Sequence, residues 1–498
     1  MLSSASVSPS SGRDSPGGSS ESLLVFSDVH LGSDLNDCTP NVTHRSAQID
    51  KDLVLFLAHY RREKPSGARW RIVIAGDFID FIGMAIAVPS ELPQLPTAPN
   101  DEEREHGLGN ASDHARLKLG RVAVRHADVF AELARFVADG HALTLVHGNH
   151  DIEFHWDGVK EDFRALLERH ARSEHADLDS AAFQDRIEFS PWFFYREGVA
   201  YIEHGHQYDP FCSTDHIMTP VSPLDARRIA RGFSDVLLRY VVRPTLGMRE
   251  HGHENTGMLY YLAFAARLGA GGLVRLGTRF AVAIIELFRL RREWFSEAAQ
   301  VLKAEHERRV ALLSEASRIG MDRLKALLSL QEPPLTRSVR GIMASVLLDR
   351  LALALTAMFL LLVVALVGAY HGHALYAGLA VLAGWALFHR HLTTQRTVDP
   401  AAQLVMKASQ LAKLFPAAFV VMGHTHTPVH TPAGDATYIN LGSWAEDEPE
   451  GAPEMNAPRA TRTHLVIHVR ESRPEAGLYT WDAEGPRHYE VPPVARVG

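Results

Sequence analysis

Cysteine is nearly missing from this chain of 498 residues, which has only Cys38 and Cys212. Two thiols cannot build a disulfide framework, and a reducing compartment is the default for such a composition. An excess of positive charge is missing too. With 51 Lys and Arg against 59 Asp and Glu, the formal net charge is −8, so no nucleic-acid partner is expected for the whole protein. The start of the chain lacks the apolar stretch of an export signal. Its first 22 residues carry ten serines with Gly and Pro, which predicts a disordered leader over 1–22 and a globular part that faces the cytosol. Hydrophobic residues are plentiful at 46%, enough to fill the cores of two or three units.

What the chain does have is five short polar motifs, each at the end of an apolar run. LLVFS leads to Asp28-Val-His30, RIVIA to Gly76-Asp77-Phe-Ile-Asp80, and LTLV to Gly148-Asn149-His150-Asp151. VAYIE leads to His204-Gly-His206, and AFVVM to Gly423-His424-Thr-His426. Runs of this length and β-branched content read as buried strands. The polar residues then fall at strand ends, where open α/β sheets place their sites. Carboxylate, imidazole and amide oxygen together suit first-row ions such as Mn, Fe or Zn. A carboxylate is the natural bridge when two such ions lie roughly 3.5–4 Å apart. No cysteine sits among the candidates, which speaks against a closed structural zinc site.

The five motifs, in this order, resemble those of the calcineurin-like metallophosphoesterases. The resemblance covers Leu23–Pro210 and Ala401–Trp444, and it implies an α/β fold, a four-layer α/β/β/α sandwich. It implies Asp28, His30, Asp77 and His426 around one metal ion. Asp77 would bridge to a second, completed by Asn149, His204 and His424. His150 would stand beside the substrate phosphate as general acid or transition-state stabiliser. Asp80 and Asp151 would orient ligands and backbone, and Tyr438-Ile-Asn440-Leu-Gly-Ser443 resembles the turn that closes this fold. Mn is the first metal the resemblance suggests, with Fe or Zn held by the same ligands.

The chain has 28 histidines, and most histidines in any chain are surface or hydrogen-bonded core residues. His147, His155, His206 and His216 read in that way, although His206 is close enough to the fourth motif to touch substrate. Asp34, Asp37 and Asp209 read as loop residues, with Asp34 near enough to the first motif to act through water.

About 220 residues separate His204 from His424, far more than a sheet connection needs. Leu224–Val242, Met258–Leu290 and Trp294–Leu330 show the three- and four-residue apolar spacing of helices. Pro223–Arg340 holds 18 Arg and 2 Lys against 12 Asp and Glu, a cationic stretch suited to anionic lipid headgroups. Leu351–Tyr370 is twenty residues without a charge, a helix of roughly 30 Å and so a membrane span. After His371-Gly-His373, Ala374–Phe388 supplies a second, shorter apolar segment of roughly 22 Å. Arg337, Arg340 and Arg350 precede the pair and Arg390 and Arg396 follow it, which orients both ends to the cytoplasm.

The expected organisation is a leader (1–22), a first core part (23–212), a basic helical insertion (213–345), a transmembrane hairpin (346–392) and a second core part (393–498). Strands are expected at Thr463–Val469, Gly477–Trp481 and Arg487–Val491, with a turn through Arg473-Pro474, as extensions of the second sheet. Glu446–Ala457 and Glu102–His114 read as polar loops, the latter at the mouth of the site.

A membrane-inserted, cationic insertion beside a metal centre is placed to meet a phosphorylated lipid. Within the family the pattern is most similar to the UDP-2,3-diacylglucosamine pyrophosphohydrolase branch. The implied reaction is attack of a metal-bound hydroxide on one phosphorus of a pyrophosphate, releasing UMP and a lipid phosphate. The chain departs from that branch in having His150 where Arg is usual and His204-Gly-His206 where His-Gly-Asp is usual. The competing readings are a phosphodiesterase or phosphomonoesterase of the same superfamily with a soluble substrate, and a non-catalytic membrane sensor that retains the metal site.

Overall fold

The computed structural model of the chain describes residues 21–40, 45, 47–65, 69–89, 95–248, 258–346, 348–371, 374–394, 399–445, 461–470, 473–482 and 484–491. The leader up to residue 20, the segment Glu446–Ala457, Gly372, His373 and Arg396 lie outside the described residues.

The architecture is mixed α/β with two sheets. The larger has seven strands in the order β12-β11-β10-β1-β2-β3-β4. Its parallel centre is β1 (Glu21–Phe26), β2 (Arg69–Ala75), β3 (Ala142–Val146) and β4 (Ile187–Ser190). The smaller sheet has five strands in the order β5-β6-β7-β9-β8. Here β5 (Phe193–Arg196) pairs antiparallel with β6 (Ala200–Glu203), which runs parallel to β7 (Phe419–Met422) and, beyond it, β9 (Ala436–Asn440). β8 (Val429–Ala433) closes the edge.

The apolar runs are continuous because both faces of the central strands are covered. Side chains alternate along a strand, so Leu23, Val25, Val73 and Ala75 meet Ile202, Val421 and Ile439 of the other sheet. Leu24, Phe26, Ile72 and Ile74 turn the other way and pack beneath the helices Ala47–Arg62, Ala127–Ala138 and Asp157–Glu174. On the outer face of the smaller sheet, Tyr201, Val420 and Met422 pack with Leu404, Ala408 and Leu411 of the helix Pro400–Leu414. That helix starts where it does because Asp399 accepts the Ala402 amide at 3.1 Å and Pro400 occupies the first turn.

Several expectations are corrected. The C-terminal strands β10 (Thr463–Arg470), β11 (Arg473–Asp482) and β12 (Gly485–His488) extend the larger sheet, because β10 pairs antiparallel with the edge that β1 leaves open. Arg473-Pro474 begins β11 rather than forming the turn. Glu102–His114 is mostly helical, over Asp101–His106 and again from Ser112. A capping box between Asn100 and Glu103 nucleates the first of these helices. Within Leu224–Val242 the helix begins only at Phe233, and Val221 bridges Ile229 before it.

The rest of the insertion is helical over Met258–Glu293, kinked at Gly269 (φ 67°), then over Glu297–Ser317 and Met321–Leu330. The apolar segments form the helices Leu348–His371 and Ala374–Thr394, which pack on each other. Among the described residues, two helices are long and apolar enough to cross a membrane, Ala266–Glu293 and Leu348–Val367. The second hairpin helix is not one of them, as His389, Arg390 and His391 dilute its apolar stretch.

Candidate metal centre

Three parallel strands of the larger sheet end side by side, and their loops carry the first three motifs. The β1–β2 register continues past the strands: the Val29 and His30 amides both donate to the Asp77 carbonyl at 2.9 Å. The loops after β6 and β7 bring His204, His424 and His426 to the same place from the smaller sheet.

The backbone marks the spot. Seven described residues other than glycine have φ above zero, and five of them are Asp28, His30, Asp77, His424 and His426. That conformation is costly for a residue with a Cβ and persists where surroundings impose it, as at binding sites. The motif glycines have a further cause. A Cβ on Gly148 would sit 2.0 Å from Asp77 Oδ1, one on Gly423 would sit 2.4 Å from Asp28 Oδ2, and one on Gly76 would enter the His204 ring. Ligand-type side chains lie directly on bare backbone.

The donor atoms converge around Asp77. On one side His426 Nε2 lies 3.2 Å from Asp28 Oδ1 and 3.3 Å from His30 Nε2, while His30 Nε2 is 3.8 Å from Asp77 Oδ2. On the other, His204 Nε2 lies 3.1 Å from Asp77 Oδ2 and 3.1 Å from Asn149 Oδ1. The other nitrogen of each outlying imidazole is committed. His204 Nδ1–H donates to the Ala75 carbonyl at 2.9 Å, and His424 Nε2–H donates to Asp209 Oδ2 at 3.0 Å. Such bonds fix the tautomer and leave a lone pair on the opposite nitrogen, which is how metal-binding histidines are held.

The electrostatics follow from the closeness of these groups to one another. Burial opposes charge on Asp77, but the His204 and His150 imidazoles outweigh it and hold the carboxyl well below its usual range. Burial likewise works against a charged His204, and Asp77 overrides it and lifts the imidazole to about 9. Burial and the neighbouring His150 depress His30 to about 3. His150 donates from Nδ1 to Asp80 Oδ1 at 2.6 Å. Against the cost of burial, Asp80 and Asp77 raise it to about 10. Asp151 is raised to about 7 by burial and by Asp77, and its oxygens accept the Gly148 and Phe78 amides at 2.6 and 2.8 Å.

The donor set includes groups that could hold a metal ion. Asp28, His30 and His426 bring ligand atoms within 4.8 Å of one another, as do Asp28, Asp77 and His204. The second, oxygen-richer half is completed by Asn149. A hard or borderline ion matches these carboxylate, imidazole and amide donors.

Of the remaining sequence candidates, His206 is buried with its ring 5.4 Å from that of His204 and its Nε2 on Gln207. His147, His155 and His216 pack in aromatic surroundings beside Phe154, Trp156 and Trp294. Asp34 pairs with Arg125 at 2.8 Å and Asp37 with Arg121 at 3.2 Å. Asp209, expected to be a loop residue, orients His424. The signal was its place in the same loop as His204. Cys212 also adjoins the site, grouped with Asp209 and His424, contrary to the expectation of a cysteine-free cluster. Burial pushes its thiol well above the ordinary range and its Sγ faces Ser234 Oγ at 3.5 Å, so it stands as a neutral neighbour. The turn at Tyr438–Ser443 latches onto the first motif: Ser443 Oγ and the Trp444 amide both donate to the Asp28 carbonyl.

No protein-family model and no curated protein matches the chain.

Proposed function

We propose that the chain is a calcineurin-like, dinuclear metal-dependent phosphoesterase, anchored in a membrane by the hairpin Leu348–Thr394 and facing the cytoplasm. Its substrate is a phosphoester or pyrophosphate linked to a lipid or nucleotide, such as UDP-2,3-diacylglucosamine. The observation that carries this reading is the Asp77 carboxylate, flanked on one side by His30 and on the other by His204 with Asn149. Two sheets face to face with helices outside them support the sandwich. Outward-facing apolar side chains along the hairpin, Phe359 at 61% and Leu366 at 64% exposure among them, support the anchor.

Asp28, His30, Asp77 and His426 would hold one ion, and Asp77, Asn149, His204 and His424 the other, with Mn as first choice and Fe or Zn suited to the same donors. Such a pair, when bound, lowers the pKa of water and neutralises the charge of a phosphoryl group in in-line displacement. The chain's own residues do the rest. Asp209 and the Ala75 carbonyl keep two imidazoles in register. His150, fixed at Nδ1 by Asp80 and partly open to solvent, presents Nε2 to the phosphate and can hand a proton to the leaving oxygen. The Gly148 and Phe78 amides, held by Asp151, keep the second and third motifs together.

The test is Mn-dependent hydrolysis by detergent-purified protein of bis(p-nitrophenyl) phosphate and UDP-2,3-diacylglucosamine, with Asp77→Ala as control. Turnover and two equivalents of metal, both lost in the mutant, are expected. Undiminished activity in Asp77→Ala overturns the site. Turnover of the diester alone removes the lipid-nucleotide substrate and keeps the reaction class.

A further inference from the structure

The helix Ser112–Arg125 carries none of the five motifs, yet it buries an ammonium group against one of them. Lys118, midway along it, is 2% exposed. Its neighbours on the covered face, Ala115, Leu119 and Val122, are apolar and buried. Burial lowers the ammonium to about 8, against the pull of Glu153, so it is charged at neutral pH. Burying such a charge costs on the order of several kcal/mol, and an aliphatic side chain would fill the position without that cost. A lysine on an apolar face is therefore explained by what its head group holds.

Among the described residues, the hydrogen-bond acceptor of Lys118 Nζ is the Phe81 carbonyl, at 2.8 Å. Phe81 directly follows Asp80, whose Oδ1 accepts the His150 Nδ1–H at 2.6 Å and the Gly83 amide at 2.7 Å. The Phe81 amide donates to the His150 carbonyl at 3.0 Å. His150 is thus gripped twice by Asp80–Phe81, once at its ring and once at its backbone. The Phe81 ring is fully buried and meets Phe154 edge-on, with centroids 5.7 Å apart. Phe81 is tied at both main-chain ends, its amide to His150 and its carbonyl to Lys118. The second tie is the stronger kind, since a charge-assisted hydrogen bond is roughly twice as strong as a neutral one.

We propose that Lys118 is a positioning residue: by holding the Phe81 carbonyl it fixes the Asp80–Phe81 segment and, through it, the direction in which His150 presents Nε2. The kinetic consequence rests on the phosphoesterase reading, whereas the geometric link does not. Lys118 touches neither a metal ligand nor His150 itself, so its loss should disturb proton delivery and leave the metals in place.

The experiment compares wild type, Lys118→Met and Lys118→Gln in detergent, after metal analysis shows equal loading. Methionine fills the space without a donor, and glutamine keeps an N–H donor without the charge. Each protein is assayed on bis(p-nitrophenyl) phosphate and on diphenyl phosphate, whose phenolate leaves less readily without a proton. The rate at which diethylpyrocarbonate modifies His150 is read by mass spectrometry against exposed His175. In Lys118→Met we expect kcat on diphenyl phosphate to fall about tenfold or more with KM within about twofold, since an oriented general acid contributes about 10²–10⁴. The fall on bis(p-nitrophenyl) phosphate should be smaller, and modification of His150 faster. Lys118→Gln should recover part of each effect. Equal falls on both substrates with an unchanged modification rate would make Lys118 a residue of general stability and overturn the proposal. A raised KM with unchanged kcat, or no change in any readout, overturns it as well. If Lys118→Met does not fold, Lys118→Gln must itself show the dependence on leaving group, and its absence is decisive against the link. If the wild type hydrolyses neither diester, the phosphoesterase reading fails, and the modification rates alone decide whether Lys118 holds His150.

Discussion

The sheet core and the hairpin use the same apolar residues in opposite ways. In β1, Leu23 through Phe26 are fully buried, and the apolar surface they remove from water drives the strands together. In Leu348–His371 and Ala374–Thr394, Met358, Phe359, Leu366, Tyr376 and Leu387 point outward and stay more than 60% exposed. The core is apolar around a knot of charged and polar side chains, each with partners. The hairpin is apolar on its outside. Burial in the first case is satisfied within the chain. In the second the apolar surface stays exposed, along a helix long and apolar enough to cross a membrane. Between the two lies the insertion, which is tied to the core by ion pairs and to the hairpin through the helix Val339–Ser345.

The largest expected effect breaks the comparison at the hairpin. Replacing Leu348–Thr394 by a short linker should move the protein from the membrane pellet to the soluble fraction, with metal content retained. Continued sedimentation with membranes would transfer the anchoring to Ala266–Glu293, the other helix of sufficient length and apolar content.

A smaller effect sharpens the link between core and insertion. Glu102 pairs with Arg231 at 2.6 Å and with Arg239. Burial would raise its carboxyl, but the two guanidiniums win and lower it to about 2. A depressed folded-state value contributes stability that is fully present above about pH 4.5 and is lost as pH falls toward 2, in total on the order of 3 kcal/mol. Thermal melts should therefore show Glu102→Gln less stable than wild type at pH 7, with the gap closing between pH 4.5 and 2. A gap that does not change with pH would show that packing, not charge, is the source.

The smallest effect lies inside the core. Asp209→Asn should weaken metal binding by about 10–100-fold, the range seen when the carboxylate behind a metal-bound histidine is altered. Equilibrium dialysis against Mn should show this in one of the two sites, with the other unchanged. Equal weakening of both would remove Asp209 from its role behind His424 alone.

Much of this molecule is legible along the chain because strand runs and helix spacing are local properties. The runs ending at Phe26, Ala75, Val146, Glu203 and Met422 are strands where their β-branched content says they are. The apolar hairpin is legible for the same reason. Other features are not local. Asn100 and Glu103 start a helix in a segment whose polarity suggests a loop, because two reciprocal side-chain bonds outweigh composition. β10–β12 join the larger sheet because β1 has an open edge, which no period in the tail can reveal. The Pro223–Arg340 charge count suggests a free cationic face, yet Arg228, Arg231 and Arg239 are spent on Glu102 and Glu103.

The sequence by itself determined which donors exist, in what order, and that each stands at a strand's end. It also determined that about twenty consecutive residues near Leu351 have no charge to keep them in water. Only the tertiary structure decided that His30 and His426, 396 positions apart, face each other at 3.3 Å. It alone assigned Asp209 to His424. The physical reason is range. Propensity and periodicity act over a few residues, whereas a buried cluster of carboxylates and imidazoles forms only when two sheets have closed on each other and packing elsewhere offsets its cost.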